Sequence, residues 1–157
     1  MSIEIRRAGP DDIAALIELK REVHALHAAA RPDQFKPTES AQIEARLREL
    51  LAAPDAKIWL ALLAGEIVGY AVSIFMRRPE HWLVPARHYC EIDQIGVSAA
   101  HRRRGVGSAL LQTAVDDARA SGIQEIELSS WAFNHDAHRA FERSGFTPKV
   151  TRFELER

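Results

Sequence analysis

The chain lacks most features that mark extracellular, membrane-spanning or nucleic-acid-binding proteins. Its 157 residues include a single cysteine, Cys90, so neither an intrachain disulfide nor a cysteine-based zinc cluster is possible. No apolar run approaches the ~20 residues that cross a bilayer, and residues 1–7 alternate like a strand instead of resembling a signal peptide. The formal net charge of −1 gives no overall attraction for nucleic acid. We therefore expect a cytoplasmic protein that binds neither membrane nor nucleic acid.

Length and composition favour one globular domain. The apolar fraction of 46% and the charged fraction of 27% are typical of globular proteins that bury a core. There is no repeat, linker or low-complexity tract, so we expect residues 1–157 to form a single domain.

The spacing of apolar residues predicts an alternation of strands and helices. Strands are expected at residues 3–7, 58–63, 67–75, 89–97, 125–129 and 150–156. Helices are expected at residues 10–30, 40–51, from the glycine turn at 105 to about 121, and at 134–144. This order predicts a mixed α/β domain with one central sheet flanked by helices.

A basic glycine turn between a predicted strand and a predicted helix is the most informative segment. Arg102, Arg103 and Arg104 directly precede Gly105-Val106-Gly107. Cations at a helix N-terminus are unfavourable by about 0.3–1 kcal/mol each unless an anion joins them. The unpaired first-turn N–H groups attract phosphates, and glycine lets them approach the backbone. The alternative is a solvated basic turn, but the clustering favours a bound polyphosphate.

Two common nucleotide motifs do not fit this turn. A Walker loop ends in Gly-Lys-Ser/Thr, whereas Gly107 is followed directly by Ser108. A dinucleotide-binding loop needs a third glycine where Leu110 stands. Both common nucleotide-binding motifs are therefore absent from this turn.

The segment from Ile95 to Leu111 resembles the acyl-CoA-binding motif of the GNAT N-acetyltransferases. The core of that motif, Gln/Arg-x-x-Gly-x-Gly/Ala, is matched by Arg102, Gly105 and Gly107. A second stretch, Trp131-Ala132-Phe133-Asn134 with Ala137 and Gly145-Phe146, is similar to the family's Asn-x-x-Ala…Gly-Phe segment. The order of elements also fits the family from residue 3 to residue 156.

This resemblance implies both a fold and a function. The implied fold is α/β (mixed α+β): a central mixed, mostly antiparallel sheet of about seven strands with about four helices, splayed at two strands around the cofactor. The implied function is acetyl-CoA-dependent transfer of an acetyl group to a primary amine, of a small molecule or of a protein N-terminus or lysine. A homodimer is compatible with the resemblance.

The resemblance also implies which residues hold the cofactor. The amides of Ile95 and Val97 would bind the pantetheine arm, those of Arg103 to Ser108 the pyrophosphate, and Asn134 the cofactor's other side. The full expected set is Ile95, Gly96, Val97, Arg102, Arg103, Arg104, Gly105, Val106, Gly107, Ser108, Asn134, His138 and Phe141.

An amine acceptor needs a base, because an alkylamine with a pKa near ~10.4 is mostly protonated at neutral pH. Glu91 is the first candidate, since some GNAT enzymes carry a catalytic glutamate at this place on the strand. Asp93 is the second, because it shares a face with Glu91 if the strand is regular, and paired carboxylates raise each other's pKa. A pair of solvent-facing acids and a water relay remain alternatives. The Ile95 amide is the candidate donor to the oxyanion.

The family's frequent general-acid tyrosine has no counterpart here, because Phe141 occupies its position. A thiol with a pKa near ~8.5 leaves tolerably as an anion, so an acid helps without being essential. His138 or a water could substitute for the tyrosine. A non-catalytic acyl-CoA-binding sensor is the alternative function, whereas a nucleic-acid-binding module would rest on the three arginines alone.

Candidate acceptor residues are His27, Phe35, Trp82 and Trp131, because they lie in or beside loops that the resemblance places around the acceptor site. The pairs His24/His27 and His135/His138 lack a third ligand, so no metal is expected.

Overall fold

The computed structural model describes residues 2–157 and contains one five-stranded sheet. The strands are β1 (Ile3–Arg7), β2 (Ala56–Leu63), β3 (Glu66–Arg78), β4 (Arg87–Val97) and β5 (Glu125–Leu128). The helices are α1 (Ile13–Ala30), α2 (Ser40–Ala52), α3 (Val106–Ala120) and α4 (His135–Arg143), with short 3-10 turns at Pro10–Asp12 and Ala99–His101. The strands lie in chain order; β1 to β4 are antiparallel neighbours, and β5 runs parallel to β4. The expected mixed, mostly antiparallel sheet is confirmed.

Two apolar cores lie on opposite faces of the sheet. Ile58 and Leu60 of β2 belong to the core that α1 and α2 cover, whereas Trp59 and Ala61 belong to the core beneath α3. Because both faces are covered, β2 and β3 appear in the sequence as nearly continuous apolar runs instead of alternating ones.

The sheet has fewer strands than the family resemblance implied. The strand expected at 150–156 is wrong: residues 146–157 form no helix or strand. Val150, Phe153 and Leu155 are 83%, 87% and 94% exposed. Alternation specifies a strand only when a sheet edge pairs with it, and the tail makes no backbone hydrogen bond within the described chain beyond Phe146. The loop between the strands expected at 67–75 and 89–97 is also shorter than expected, because β3 continues to Arg78 and β4 begins at Arg87.

None of the helices in residues 2–157 has the length and apolarity to span a bilayer.

Candidate active site

Strands β4 and β5 part midway along β4. Their pairing covers only Tyr89↔Glu125 to Ile92↔Leu128, whereas β4 continues to Val97 and stays paired with β3 on its other side. The segment 93–97 therefore has one edge with no strand beside it. This arrangement matches the splay that the sequence resemblance predicts, and it lies immediately before the glycine turn.

A β-bulge interrupts β4 at Asp93. Ser73 of β3 is opposite Ile92 and Val72 is opposite Gln94, so Asp93 has no partner in β3. The regular strand assumed for the Glu91–Asp93 pair is thus not found. Asp93 is instead held by a hydrogen bond that Gln94 Nε2 donates to its Oδ2 over 3.2 Å. Bulges of this kind change the direction of side chains and are frequent beside active sites.

The N-terminus of α3 is open. Gly105 adopts φ +82° at the N-cap, a left-handed conformation that glycine adopts without steric cost, and no side chain caps the helix. The first-turn N–H groups therefore lack the protein partner that most helix starts have. Arg103 also has a positive φ, +63°. Such strain in a residue with a Cβ persists only where the surroundings impose it.

The three arginines of the turn face solvent. Arg102, Arg103 and Arg104 are all exposed, and none forms an ion pair within residues 2–157. Arg102 Nε makes one long contact, 3.5 Å, with the carbonyl oxygen of Val97. Three unneutralised cations thus surround a helix terminus that already has a positive potential. An anionic ligand would relieve this arrangement.

Gly107 has no structural reason to be glycine. A Cβ at this position would meet nothing closer than Val97 Cγ2 at 3.9 Å, an ordinary contact, and the backbone is helical. Glycine inside a helix costs about 0.5–1 kcal/mol relative to alanine. The absence of a side chain at Gly107 therefore leaves free space at the protein surface beside the first turn of α3. Gly96 differs, because its Cβ would lie 2.6 Å from Val23 Cγ2 and 2.8 Å from Tyr70 Cε1, so it serves the packing of α1.

Glu91 is a half-buried carboxylate without a hydrogen-bond partner in the described chain. Burial raises its pKa above the usual value, and the negative charges of Asp93 and Glu127 raise it further. A carboxylate in these surroundings accepts a proton more readily than an ordinary glutamate does. This property is the one that a base working near neutrality requires.

Glu127, the register partner of Glu91 on β5, was not a sequence candidate. It forms ion pairs with Arg87 and Lys149. The hydrogen bond from Lys149, together with the one from Arg87, holds the pKa of Glu127 below its usual value. Arg87 also binds Glu125, over 2.6 Å, and lies 4.1 Å from the centroid of the Tyr89 ring. Such partners are far apart in sequence, and no local pattern indicated them.

A second group missed by the sequence analysis fixes the bulge from the side of α1. The Gln94 Oε1 accepts hydrogen bonds from Lys20 Nζ at 2.6 Å and from the Tyr70 hydroxyl at 3.4 Å. Burial lowers the pKa of Lys20, although the charge of Asp93 opposes this change. These contacts tie helix α1 to the strand that carries Glu91 and Asp93.

An aromatic cluster lies where the C-terminal half of α1 meets the loop after β5. His27 is 5.3 Å from Phe35 and 5.6 Å from Phe133, and Phe35 is 5.2 Å from Trp131, all between ring centroids. The structure thus brings together His27, Phe35 and Trp131. It separates Trp82 from them, because this side chain is 84% exposed and contacts only the ring of His81 among the described aromatic rings.

The α4 residues expected at the cofactor have internal roles. Asn134 is the N-cap of α4, where its Oδ1 accepts a hydrogen bond from the Ala137 N–H. His138 Nε2 lies 3.0 Å from the carbonyl oxygen of Trp131 and so holds the loop that carries this ring. Phe141 is buried in the core beneath α3 and packs against Phe146. No group of three metal-binding side chains gathers within residues 2–157.

Comparison with known proteins decides the family. The model of the acetyltransferase (GNAT) family matches residues 21–146. The chain belongs to this family. Its members are acyltransferases whose acyl donor is acetyl-CoA. The matched residues include the separating strands β4 and β5 and the glycine turn between them.

A curated relative is the aminoalkylphosphonate N-acetyltransferase of Salmonella typhimurium, 35% identical over 103 residues, which cover 66% of this chain and 64% of the relative. A mycothiol acetyltransferase of Beutenbergia cavernae is 41% identical over 68 residues, which cover 43% of this chain and 23% of the relative. The chain thus spans less than two thirds of the length of these curated relatives.

A solved structure of a tetramutant of the BH1408 protein from Bacillus halodurans has the same fold, with a TM-score of 0.92, 23% identity, and coverage of 98% of this chain and 99% of that one. GNAT membership and the GNAT fold, both implied by the residues from Ile95 to Leu111, are confirmed.

Proposed function

We propose that residues 1–157 act as one N-acetyltransferase domain that transfers the acetyl group of acetyl-CoA to a primary amine of a small molecule. One observation carries this proposal: the uncapped N-terminus of α3, with three unpaired arginines, lies at the end of the strand segment 93–97 whose edge is free. Together they offer a site for a pyrophosphate and a slot for an extended arm.

The expected roles of the turn follow from these features. The amides of residues 103–108 would bind the pyrophosphate, and the side chains of Arg102, Arg103 and Arg104 would neutralise its charge. Gly107 would let the phosphate approach the backbone closely, since nothing in the fold fills that space. The peptide groups of Ile95 and Val97, on the free segment of β4, would pair with the amide groups of the pantetheine arm, Ile95 through its carbonyl oxygen. This arm then lies beside the strand that carries Glu91.

Glu91 is the proposed base. Acetyl-CoA supplies an activated thioester, and the acceptor nitrogen must lose a proton to become the nucleophile. Glu91 takes that proton first, so that the neutral amine has a free lone pair with which to form the C–N bond; burial raises the pKa of Glu91 in the direction that this role requires. The negative charge of Asp93 raises the pKa of Glu91 further. The Ile95 N–H donates a hydrogen bond to the carbonyl oxygen of the thioester, which becomes negative as the nitrogen attacks. The C–S bond then breaks, the sulfur leaves as a thiolate, and the nitrogen, positively charged after the attack, loses its second proton to water.

Water is the proposed proton source for that thiolate. Phe141 has no proton to donate and is 8% exposed, so this position supplies packing only. His138 is engaged with the Trp131 carbonyl through Nε2. A thiolate of ordinary pKa leaves without an acid at a modest loss of rate.

A small-molecule acceptor is supported by two facts. The Salmonella relative is named for an aminoalkylphosphonate, a small amine. In this chain, the rings of His27, Phe35, Phe133 and Trp131 pack against one another where α1 meets the loop after β5. Rings packed against each other form a wall that suits a compact acceptor.

The cytoplasmic location expected from the single cysteine stays a prediction.

A thiol-release assay tests the proposal. The wild-type chain is incubated with acetyl-CoA and a panel of aminoalkylphosphonates, aminoglycosides, diamines and lysine-containing peptides. We expect free thiol only with a small-molecule amine, and loss of this release in Glu91→Gln. Binding of acetyl-CoA without release on any amine would contradict catalysis and favour a sensor, whereas release only with peptides would contradict the small-molecule acceptor.

A further inference from the structure

One face of helix α1 changes character halfway along the helix. In the first half, Ile13 and Leu16 on this face are buried in the core. The same spacing of three and four residues then continues, through the end of the helix, with basic side chains that are all half-buried: Lys20, His24, His27 and Arg31. Residues at this spacing share one face of a helix. The face that begins apolar therefore ends in basic groups turned toward the protein, and each of them needs a partner.

Lys20 is the basic side chain on this face whose charge has no partner within residues 2–157. His24 and His27 each contact a backbone carbonyl oxygen through one ring nitrogen, and Arg31 forms ion pairs with two carboxylates. Lys20 forms no ion pair in that part of the chain, and its ammonium donates one hydrogen bond, over 2.6 Å, to Gln94 Oε1. An ammonium has three donors, so Lys20 keeps further N–H groups for a ligand.

The surroundings of Lys20 disfavour its charge. Burial lowers the pKa of the ammonium; the negative charge of Asp93 opposes this change, and the positive charge of Arg46 on α2 adds to it. The carboxylate of Asp93 accepts its hydrogen bond from the amide of Gln94, which stands between it and the ammonium. An anion in direct contact with the ammonium would restore the charged form. Lys20 therefore suits an anionic group that comes from outside the chain.

Lys20 and Glu91 lie on the same side of the sheet. Gln94, which Lys20 contacts, is paired with Val72 of β3, and Glu91 is paired with Ile74. Val72 belongs to the core that α1 and α2 cover, and Ile74 packs against that core. Directly opposite residues share a face of a sheet, so Glu91 and Gln94 both face α1 and α2. They are three residues apart on β4, which is at most about 10 Å along a strand. One small molecule spans this distance.

We propose that the amine acceptor carries an anionic group, a carboxylate or a phosphonate, which the Lys20 ammonium binds while the amine nitrogen lies at Glu91. This inference rests on the proposed function, because it assigns a substrate class to the same site. The acceptor arrives as a zwitterion whose positive end matches the carboxylates of β4 and whose negative end matches the basic face of α1. Lys20 determines specificity and takes no part in making or breaking bonds.

Acceptors that differ in the acid group test the inference through thiol release from acetyl-CoA. β-Alanine and β-alaninamide have the same amine and the same chain length, but the amide lacks the negative charge; 2-aminoethylphosphonate supplies a second kind of acid. We expect the wild-type kcat/KM to be higher by about tenfold or more for either acid than for the amide, as for a charge-assisted hydrogen bond. In Lys20→Met this preference should disappear. The ratio is the readout because a loss of packing would lower both rates alike.

Two further variants complete this test. Lys20→Gln keeps a donor for Gln94 Oε1 and removes the charge, so it should also lose the preference. Arg21→Met removes an exposed cation from the neighbouring face of the same helix and is the matched control that should keep it. A wild type that uses the amide as well as the acids, a Lys20 variant that keeps the preference, or an Arg21→Met variant that loses it would overturn the inference.

Binding without turnover separates this inference from the proposed function. β-Alanine and β-alaninamide are each titrated into the ¹⁵N-labelled chain with excess CoA, so that no acetyl group can be transferred and the glycine turn is not left free for the acid. We expect β-alanine, but not the amide, to shift the signals of Lys20 and Gln94 in the wild type, and neither to do so in Lys20→Met. Selective binding of the acid by a chain that acetylates no amine would contradict the proposed function and support this inference. The absence of selective binding would overturn the inference, whichever amines are acetylated.

Discussion

Glu91 and Glu127 are partners in the register of the parallel strands β4 and β5. Only the pair Ile92↔Leu128 follows before the two strands separate. Arg87 and Lys149 neutralise Glu127, and its pKa is held below the usual value. Glu91 has no such partner, and burial raises its pKa. Two identical residues on adjacent strands are thus placed in opposite electrostatic surroundings, and only one of them is suited to accept a proton.

The first prediction concerns the role of Glu91. Replacement by glutamine keeps the shape of the side chain and removes its basicity. We expect kcat to fall by about 10²-fold or more, as for the loss of a general base, while the Kd for acetyl-CoA stays within about twofold of the wild-type value. Steady-state kinetics and calorimetric titration measure the two quantities. Glu66→Gln, at an exposed glutamate at the start of β3, is the control and should match the wild type; unchanged kcat in Glu91→Gln would refute the assignment.

The second prediction concerns pH. A raised pKa at Glu91 means that kcat, measured at saturating acceptor, rises with pH through a value above the ~4.3 of an ordinary glutamate. Asp93→Asn removes one negative charge that disfavours ionisation of Glu91, so the acid limb of the profile should move to lower pH. A limb that stays in place, or moves to higher pH, would show that Asp93 does not act on the titrating group.

Elements covered on both faces were predictable from the sequence, because burial leaves a continuous apolar run. β2 and β3 were expected at 58–63 and 67–75 and extend over 56–63 and 66–78. The bulge at Asp93 was not predictable, since it depends on the register with β3. Lys20 and Gln94 meet across 74 residues of sequence, which no local pattern reveals. The tail failed as a predicted strand because no strand edge pairs with its backbone within residues 2–157.

Within the site, main-chain features were easier to predict than side-chain partnerships. Gly105 and Arg102 to Arg104 indicated a helix start with excess positive charge, and the structure has that helix at Val106. The ion pairs that distinguish Glu127 from Glu91 come from β4 and from the tail, so they require the tertiary fold. The roles of Ile95, Asn134 and His138 toward the cofactor stay predictions.

The third prediction separates cofactor binding from folding at Gly107. An indole at this position would fill the space beside the first turn of α3, where a Cβ has room at 3.9 Å from Val97 Cγ2. Gly107→Trp should therefore weaken acetyl-CoA binding at least tenfold, about 1.4 kcal/mol, with little change in Tm. Gln112→Trp, exposed on the same helix, is the control and should bind normally. Equal affinities for both variants would argue against a cofactor at this turn.

The fourth prediction concerns the packing of α1 on β4. A methyl group on Gly96 would collide with Val23 and Tyr70 at 2.6 and 2.8 Å. Gly96→Ala should lower the free energy of unfolding by about 1–3 kcal/mol through overpacking. Gly107→Ala adds the same group without a collision and should be neutral or stabilising by about 0.5–1 kcal/mol. Denaturant titration measures both; equal stability of the two variants would mean that α1 moves freely away from the strand.

The binding of CoA pyrophosphate at the start of α3 is the claim on which the other site assignments depend. Amide chemical shifts of the ¹⁵N-labelled chain, followed while CoA is added, test it most directly. We predict that the largest changes occur at residues 103–108, with further changes at Ile95 and Val97. Saturable binding whose shifts leave residues 103–108 unchanged and concentrate elsewhere in the chain would contradict the account.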